Sequence, residues 1–367
     1  MHNPLMAHIW QSPLWPRFIH DPQRTESALA TFALRLGRVV GLQDALSIEE
    51  QREAFLRSVT GEAVASFGIE GVTLSPEDME ASVVASLAHR GMEPQRRSDA
   101  VAELMLEARE GQGPLTMARL HRWHALLFHG VELEEKAQWR SFEMVIVRSA
   151  RAGREEVLYT APPPERVPGD MAVFLDWLNE EAALPTPVRA ALAHLWFESI
   201  HPYSDGNGRV GRAIVEHVFA RDMALPFSLS RQIQVDKRGY YAALQAGRQI
   251  GLPDGAGGID GTEFVLWFLD RLHAGMTEAE ADARFLVGRN RFFLRFQTLS
   301  PRAEKVLRRL FAEGANRVAQ GLSAGPYAKI AGVSPATATR DLTELETMGA
   351  LLRGPEGGRA TRYLLVL

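Results

Sequence analysis

His201-Pro202-Tyr203-Ser204-Asp205-Gly206-Asn207-Gly208-Arg209-Val210-Gly211-Arg212 is the segment that decides how this chain reads. It sets a titratable imidazole, a hard carboxylate, a glycine-flanked turn and two guanidinium groups side by side. Asp205 can hold a Mg²⁺ ion through oxygen. The Gly206-Asn207-Gly208 turn can aim successive backbone N–H groups at phosphate oxygens. Arg209 and Arg212 are three residues apart, so a helix after the turn projects both from one face as a phosphate fork. His201 can accept a proton near neutral pH. The plainer alternative for the same residues is a polar loop capping a buried helix. A Walker-type loop, Gly-x-x-x-x-Gly-Lys-Ser/Thr, is absent from the sequence.

Working outward, both flanks read as helix: Val188–Ser199 leads into the segment and Arg209–Ala220 leaves it. Upstream, helices are expected over Thr25–Gly41, Ile48–Ser66, Pro76 to about His89, Thr116–Phe128 and Met171–Glu181. Ser75-Pro76-Glu77-Asp78 is a capping sequence with proline at the first helical position. Downstream come Gly239–Gln249, Thr262–Leu272 and a long helix from about Thr277 to Phe296. Met144–Val147 and Glu156–Tyr159 are β-rich runs around Arg151–Arg154, so a hairpin is expected, ended by Pro162-Pro163-Pro164. The fold class is therefore all-α with a small β-hairpin.

The 367 residues suggest two or three domains, and a hydrophobic content of 46% is ample for their cores. A net charge of −4 argues against coating nucleic acid by bulk charge. The absence of cysteine excludes disulfides, cysteine nucleophiles and thiolate metal sites, and fits a cytoplasmic location. Met1–Trp15 lacks the pattern of a signal peptide, and no apolar run suggests a membrane span.

The central segment resembles the signature of the Fic family, His-Pro-Phe-x-Asp-Gly-Asn-Gly-Arg-x-x-Arg, departing only at Tyr203, a position expected to be a buried aromatic anchor. Trp10 to about Leu46 resembles a helical extension on one bacterial group of Fic proteins. The resemblance implies four parts: residues 1–114, a helical region with an inhibitory helix; 115–275, the catalytic core; 276–299, a linking helix; and 300–367, a winged helix-turn-helix. It also implies a protein adenylyltransferase that moves AMP from ATP to a Ser, Thr or Tyr hydroxyl of a protein. In that reading His201 is the general base. Asp205 holds Mg²⁺, and Gly206, Asn207 and Gly208 cradle the α- and β-phosphates at the helix N-terminus, with Val210 and Gly211 in the same nucleotide-binding run. Arg209 meets the β-phosphate and Arg212 the γ-phosphate. Val157, Leu158, Tyr159 and Thr160 fall in the family's flap, which holds a target protein's backbone by strand addition. Tyr240 and Tyr241 stand where the family puts residues around adenine, with core packing the alternative. His121, His124 and His129 read as structural rather than metal-binding.

Ser66-Phe67-Gly68-Ile69-Glu70-Gly71 matches the family's inhibitory motif, Ser/Thr-x-x-x-Glu-Gly/Asn. The resemblance implies that Glu70 pairs with Arg212 and denies it to the γ-phosphate, leaving ATP misaligned. The same glutamate could instead orient a water for AMP removal. Beyond Ser300 and Pro301, helix Pro335–Met348 and the strands Leu351–Arg353 and Tyr363–Val366 resemble a recognition helix and wing. Lys329, Arg340, Arg353, Arg359 and Arg362 are the candidate phosphate contacts for DNA, the alternative being a protein-docking or dimer-stabilising module. A homodimer is a further expectation. A different class of function also stands open: a DNA-binding regulator whose core senses nucleotide, or the same site used for de-AMPylation or for another nucleotide.

Overall fold

The computed structural model describes residues 8–149, 155–180, 183–250, 257–355 and 361–367. Strand β1 (Phe18–Ile19) precedes α1 (Pro22–Gln43), α2 (Ile48–Ile69), α3 (Pro76–Ala88), α4 (Arg97–Glu110) and α5 (Met117–Leu127). The antiparallel pair β2 (Val145–Ser149) and β3 (Glu155–Thr160) follows. Next come α6 (Val167–Glu180), α7 (Thr186–Ile200), α8 (Asn207–Ala220), α9 (Leu229–Val235) and α10 (Lys237–Ala246). Strands β4 (Gln249–Ile250) and β5 (Ile259–Asp260) lead into α11 (Thr262–Arg295). The chain continues through α12 (Pro301–Ala312), α13 (Ala315–Ala319), α14 (Ala324–Ala331), α15 (Pro335–Thr347), β6 (Leu351–Arg353) and β7 (Tyr363–Leu365). The architecture is helical with small strand pairs, as the sequence implies.

Side-chain caps start several helices where the sequence places them. Ser75, Thr116, Ser300 and Ser334 each accept a hydrogen bond from a backbone N–H three residues on, satisfying a donor the helix cannot. Helix α7 is buried on all sides from Pro187 to Ile200, and α8 is buried along nearly its whole length. Helices buried all round belong at a core's centre, and the polar groups they carry there need partners. These two pack against each other, α4 packs on α8, and α2 packs on α3, α4, α8 and α9. The central pair thereby carries the signature between its ends.

The structure corrects the sequence reading in three places. Helix α11 is continuous over 34 residues, with no break near Gly275. That glycine is a packing device: a Cβ there would lie 2.1 Å from the Phe227 ring. Helix α4 was not anticipated, because a helix buried from Ala100 to Leu106 lacks the polar face that betrays a helical period. Strands β1, β5 and β4 form an unanticipated three-stranded sheet, β1 parallel and β4 antiparallel to the central β5. The hairpin turn Arg151–Arg154, Arg359 of the wing and Met1–Ala7 lie outside the described residues.

Two compact units divide the chain: Met1–Gly37 with Ile48–Glu278, and Arg38–Ser47 with Ala279–Leu367. The division falls inside α11, upstream of Ser300. In the second unit Phe292, Leu310, Phe311, Tyr327, Leu342 and Leu351 form a core. There Arg302 and Tyr327 both donate to Asp341, tying α12 and α14 to α15. No described helix is long and apolar enough to cross a membrane.

Candidate active site

Helix α7 stops at His201, whose backbone is left-handed (φ 51°, ψ 60°). A non-glycine residue there is uncommon and persists only where its surroundings impose it. The surroundings are visible. Arg140 is buried and donates to the His201 carbonyl (2.8 Å), the Phe142 carbonyl (2.7 Å) and the Pro162 carbonyl (2.6 Å). Its own N–H donates to the Pro202 carbonyl at 2.9 Å. One guanidinium thus pins the turn to the base of the β2–β3 hairpin. The turn is locked again at Asn207, which accepts from Tyr203 N (2.9 Å) and donates to Tyr203 O (2.8 Å). Gly206 has φ 81°, and a Cβ there would strike Leu127 and Phe128.

Below the turn lies an aromatic floor. Tyr203 is fully buried and stacks on His124 at 4.0 Å between ring centroids. His124 Nδ1 accepts from Ala137 N (2.9 Å), and Nε2 faces the Asp205 carbonyl (3.1 Å). Burial pulls His124 down to about 4, so its ring is neutral at pH 7. With Nδ1 accepting, the ring proton is assigned to Nε2. His121 contacts the Tyr203 hydroxyl through Nδ1 at 3.3 Å. Among the described residues no cluster of three or more His, Cys, Asp or Glu could hold a metal ion.

Above the turn opens a cavity of about 250 Å³. Of the residues singled out in the sequence, Glu70, Leu158, His201, Asp205, Gly206, Asn207, Gly208 and Tyr241 line it, as does Tyr240. Others stand apart from it. Val157 is exposed on the hairpin, while Tyr159 is buried and donates to the Ser199 carbonyl at 2.8 Å. Burial pushes the Tyr159 hydroxyl up to about 12. Thr160 accepts through its carbonyl from the Trp10 indole, which staples the N-terminal segment to the hairpin. Val210 is turned into the core, and Gly211 passes close under the His194 ring. The Tyr240 hydroxyl is engaged with His194 Nε2 at 2.7 Å. Sequence reasoning missed Ile146, Glu198, Leu244, Gln245 and Arg248, which also line the cavity. Glu198 carried a faint signal, standing one helical turn before His201.

The cations around the cavity are already engaged. Arg212 is buried and donates through Nε to Ser66 Oγ (2.9 Å) and through one terminal nitrogen to the Ser66 carbonyl (2.8 Å) and Glu70 Oε1 (2.9 Å). Burial opposes its charge, but Glu70, with Tyr240 and Glu198, outweighs burial and holds the guanidinium above its ordinary value. The Glu70 carboxylate also lies against the turn, since a Cβ on Gly208 would be 2.5 Å from Glu70 Oε1. Arg209 lies over the Phe67 and Phe128 rings and donates to Asp205 Oδ1 at 3.1 Å. The Asp205 side chain is 59% exposed at the rim. A single exposed carboxylate of this kind suits a Mg²⁺ ion that keeps its waters and arrives on phosphate.

Residues 114–219 match the Fic/DOC family, and residues 8–89 match a domain of unknown function, DUF4172. The chain is similar to a probable protein adenylyltransferase of Aquifex aeolicus, 27% identical over 48% of this chain and 52% of that protein. It is also similar to protein adenylyltransferase fic-1 of Caenorhabditis elegans, 35% identical over 23% of this chain and 17% of that one. The chain thus spans about half the length of the first relative and a small part of the second. Among solved structures, a Fic family protein from Desulfovibrio desulfuricans superposes with a TM-score of 0.50 at 24% identity, covering 92% of this chain and 96% of that one. A Fic domain containing signaling protein from Bacteroides thetaiotaomicron gives 0.52 at 20%, over 70% and 97%. These likenesses give the chain a Fic-type helical fold, with the Fic/DOC match lying over the signature.

Proposed function

We propose that this chain is a protein adenylyltransferase, moving AMP from ATP to a Ser, Thr or Tyr hydroxyl of a protein, itself included. The observation that carries the reading is the meeting of His201 with the Gly206–Gly208 turn in one cavity, at the N-terminus of α8. A helix N-terminus behind a glycine turn favours phosphate. The imidazole goes beyond what binding alone requires. In the step, the target oxygen bonds to the α-phosphorus and the bond to pyrophosphate breaks. The hydroxyl proton passes to His201 Nε2, and pyrophosphate carries away the electron pair. Asp205 would hold Mg²⁺, which supplies charge neutralisation on the phosphates. Leu158, Ile146, Tyr241 and Leu244 offer the apolar and aromatic surface an adenine ring needs. The exposed Val145, Val147 and Val157 leave the β2–β3 hairpin open to strand addition by a target.

Glu70 is the brake in this reading. Its ion pair with Arg212 occupies the cation meant for the γ-phosphate, and its carboxylate lies against Gly208, in the phosphate cradle. A DNA-binding role for the C-terminal unit is the second reading. The exposed Lys329, Arg340, Arg353 and Arg362 favour it, and a gel shift that weakens steeply with salt tests it. The test of the leading reading is intact-mass spectrometry after incubation with Mg²⁺ and ATP. An AMP-sized gain in Glu70→Gly that is absent from Glu70→Gly with His201→Ala supports transfer; equal gain in both defeats it.

A further inference from the structure

One buried acid in the cavity wall has no part in the scheme above. Glu198 stands on the last turn of α7, 6% exposed, and its Oε2 lies 3.6 Å from His201 Nδ1. That is ion-pair distance and too long for a hydrogen bond. Among the described residues, Glu198 Oε1 and His201 Nδ1 are both buried with no hydrogen-bond partner. Buried polar atoms are normally paired, so an imidazole nitrogen left open beside a buried carboxylate calls for an explanation. Burial alone would raise the Glu198 carboxyl, yet His201, with His194 and Arg248 beside it, outweighs burial and brings it down to about 2. The helix end that carries it is held by Arg248, which donates to the Glu198 backbone carbonyl (3.0 Å) and to Ser199 Oγ (3.1 Å). Room for the carboxylate exists because residue 211 is glycine, where a Cβ would lie 3.3 Å from Glu198 Oε1.

We infer that Glu198 is the positioning residue of His201: its carboxylate accepts a hydrogen bond from Nδ1–H, turns Nε2 toward the target hydroxyl, and balances the imidazolium formed on transfer. The inference rests on the adenylyltransferase reading and deepens it. A base oriented by an acid on its far nitrogen is a recurrent arrangement in enzymes. Catalytic hydrogen bonds are often long without substrate and tighten in the complex. Glu198 and His201 are three residues apart at the end of α7, a spacing that sets the two side chains beside each other.

The test compares Glu198→Gln and Glu198→Ala, each in Glu70→Gly. Three quantities are read: AMP addition at saturating ATP, affinity for a non-hydrolysable ATP analogue, and the His201 ring nitrogen shifts by NMR, assigned by loss in His201→Ala. Glu198→Ala should slow addition on the order of 100-fold with affinity little changed. Its His201 ring should shift from the Nδ1–H tautomer toward a mixture. Glu198→Gln keeps the size and an accepting oxygen, so it should keep the tautomer while losing rate, and it guards against misfolding of the alanine variant. Unchanged rates, a loss confined to ATP affinity, or identical His201 shifts in all three proteins would overturn the inference. Should Glu70→Gly itself transfer nothing, the adenylyltransferase reading fails, while the NMR shifts still report whether Glu198 orients His201.

Discussion

Replacing Glu70 by glycine should release the enzyme, by an amount the structure bounds. The Glu70–Arg212 contact is 2.9 Å, with the arginine side chain 2% and the glutamate 31% exposed. A hydrogen bond between charged groups is worth about 1.5–3 kcal/mol net. Partial exposure of Glu70 puts this one toward the lower half of that range. Each 1.36 kcal/mol is tenfold in rate, so freeing Arg212 should raise the initial rate of AMP addition by about 10- to 50-fold. Arg212 keeps both of its bonds to Ser66, so the variant should still fold. Glu70→Gln keeps an accepting oxygen at neutral strength and should fall between parent and glycine. The assay is a time course of intact mass with Mg²⁺ and ATP, beside a thermal melt. A Glu70→Gly rate within about threefold of the parent, with both proteins folded, would refute the brake.

Three further outcomes follow from buried groups. Arg140→Ala should cost about 3–5 kcal/mol in a urea melt, because buried carbonyls at Phe142, Pro162 and His201 lose their donor. It should also abolish AMP addition; a stable, active variant would contradict the clamp. His124 and His217 are held by burial at about 4, below the ordinary 6.5. Their stabilisation is complete above pH 6.5 and is lost as pH falls toward 4, so each should cost about 2 kcal/mol by pH 5 in melts compared across pH. Arg109 pairs with Glu216 at 2.8 Å, both side chains almost wholly buried. Burial outweighs Arg109 and raises the Glu216 carboxyl to about 7, so its contribution is lost as pH rises from about 4.5 through 7. Arg109→Met should therefore destabilise by about 3–5 kcal/mol, and more at pH 8 than at pH 6; an equal loss at both would contradict this.

The candidate site was legible where its residues are contiguous. His201 to Gly208 form one turn, and their chemistry and spacing can be read in a line. Glu70 was legible because a short motif flagged it, although its partner Arg212 lies 142 residues away. Arg140 was not, because a guanidinium that binds only backbone carbonyls leaves no pattern in sequence. Glu198 was overlooked since an acid one turn from the end of a helix is ordinary until the fold buries it. Helical elements with an amphipathic period were legible, as in α5, where Thr116 marks the start. Helix α4 has no such period, being buried from Ala100 to Leu106. The continuity of α11 was not legible, because a glycine such as Gly275 is compatible with both a break and close packing, and only the position of Phe227 tells them apart. The strands β1, β4 and β5 are two residues each, too short for alternation to register.

The central claim is that the α-phosphoryl group of ATP, with its adenosine, becomes attached to protein through the His201 site. The most direct measurement is label transfer to Glu70→Gly from ATP labelled at the α- or the γ-phosphate, with His201→Ala in the same background as control. The account predicts protein-bound label from the α-position alone, and none in the control. Label from the γ-position, or α-label undiminished without His201, would contradict it.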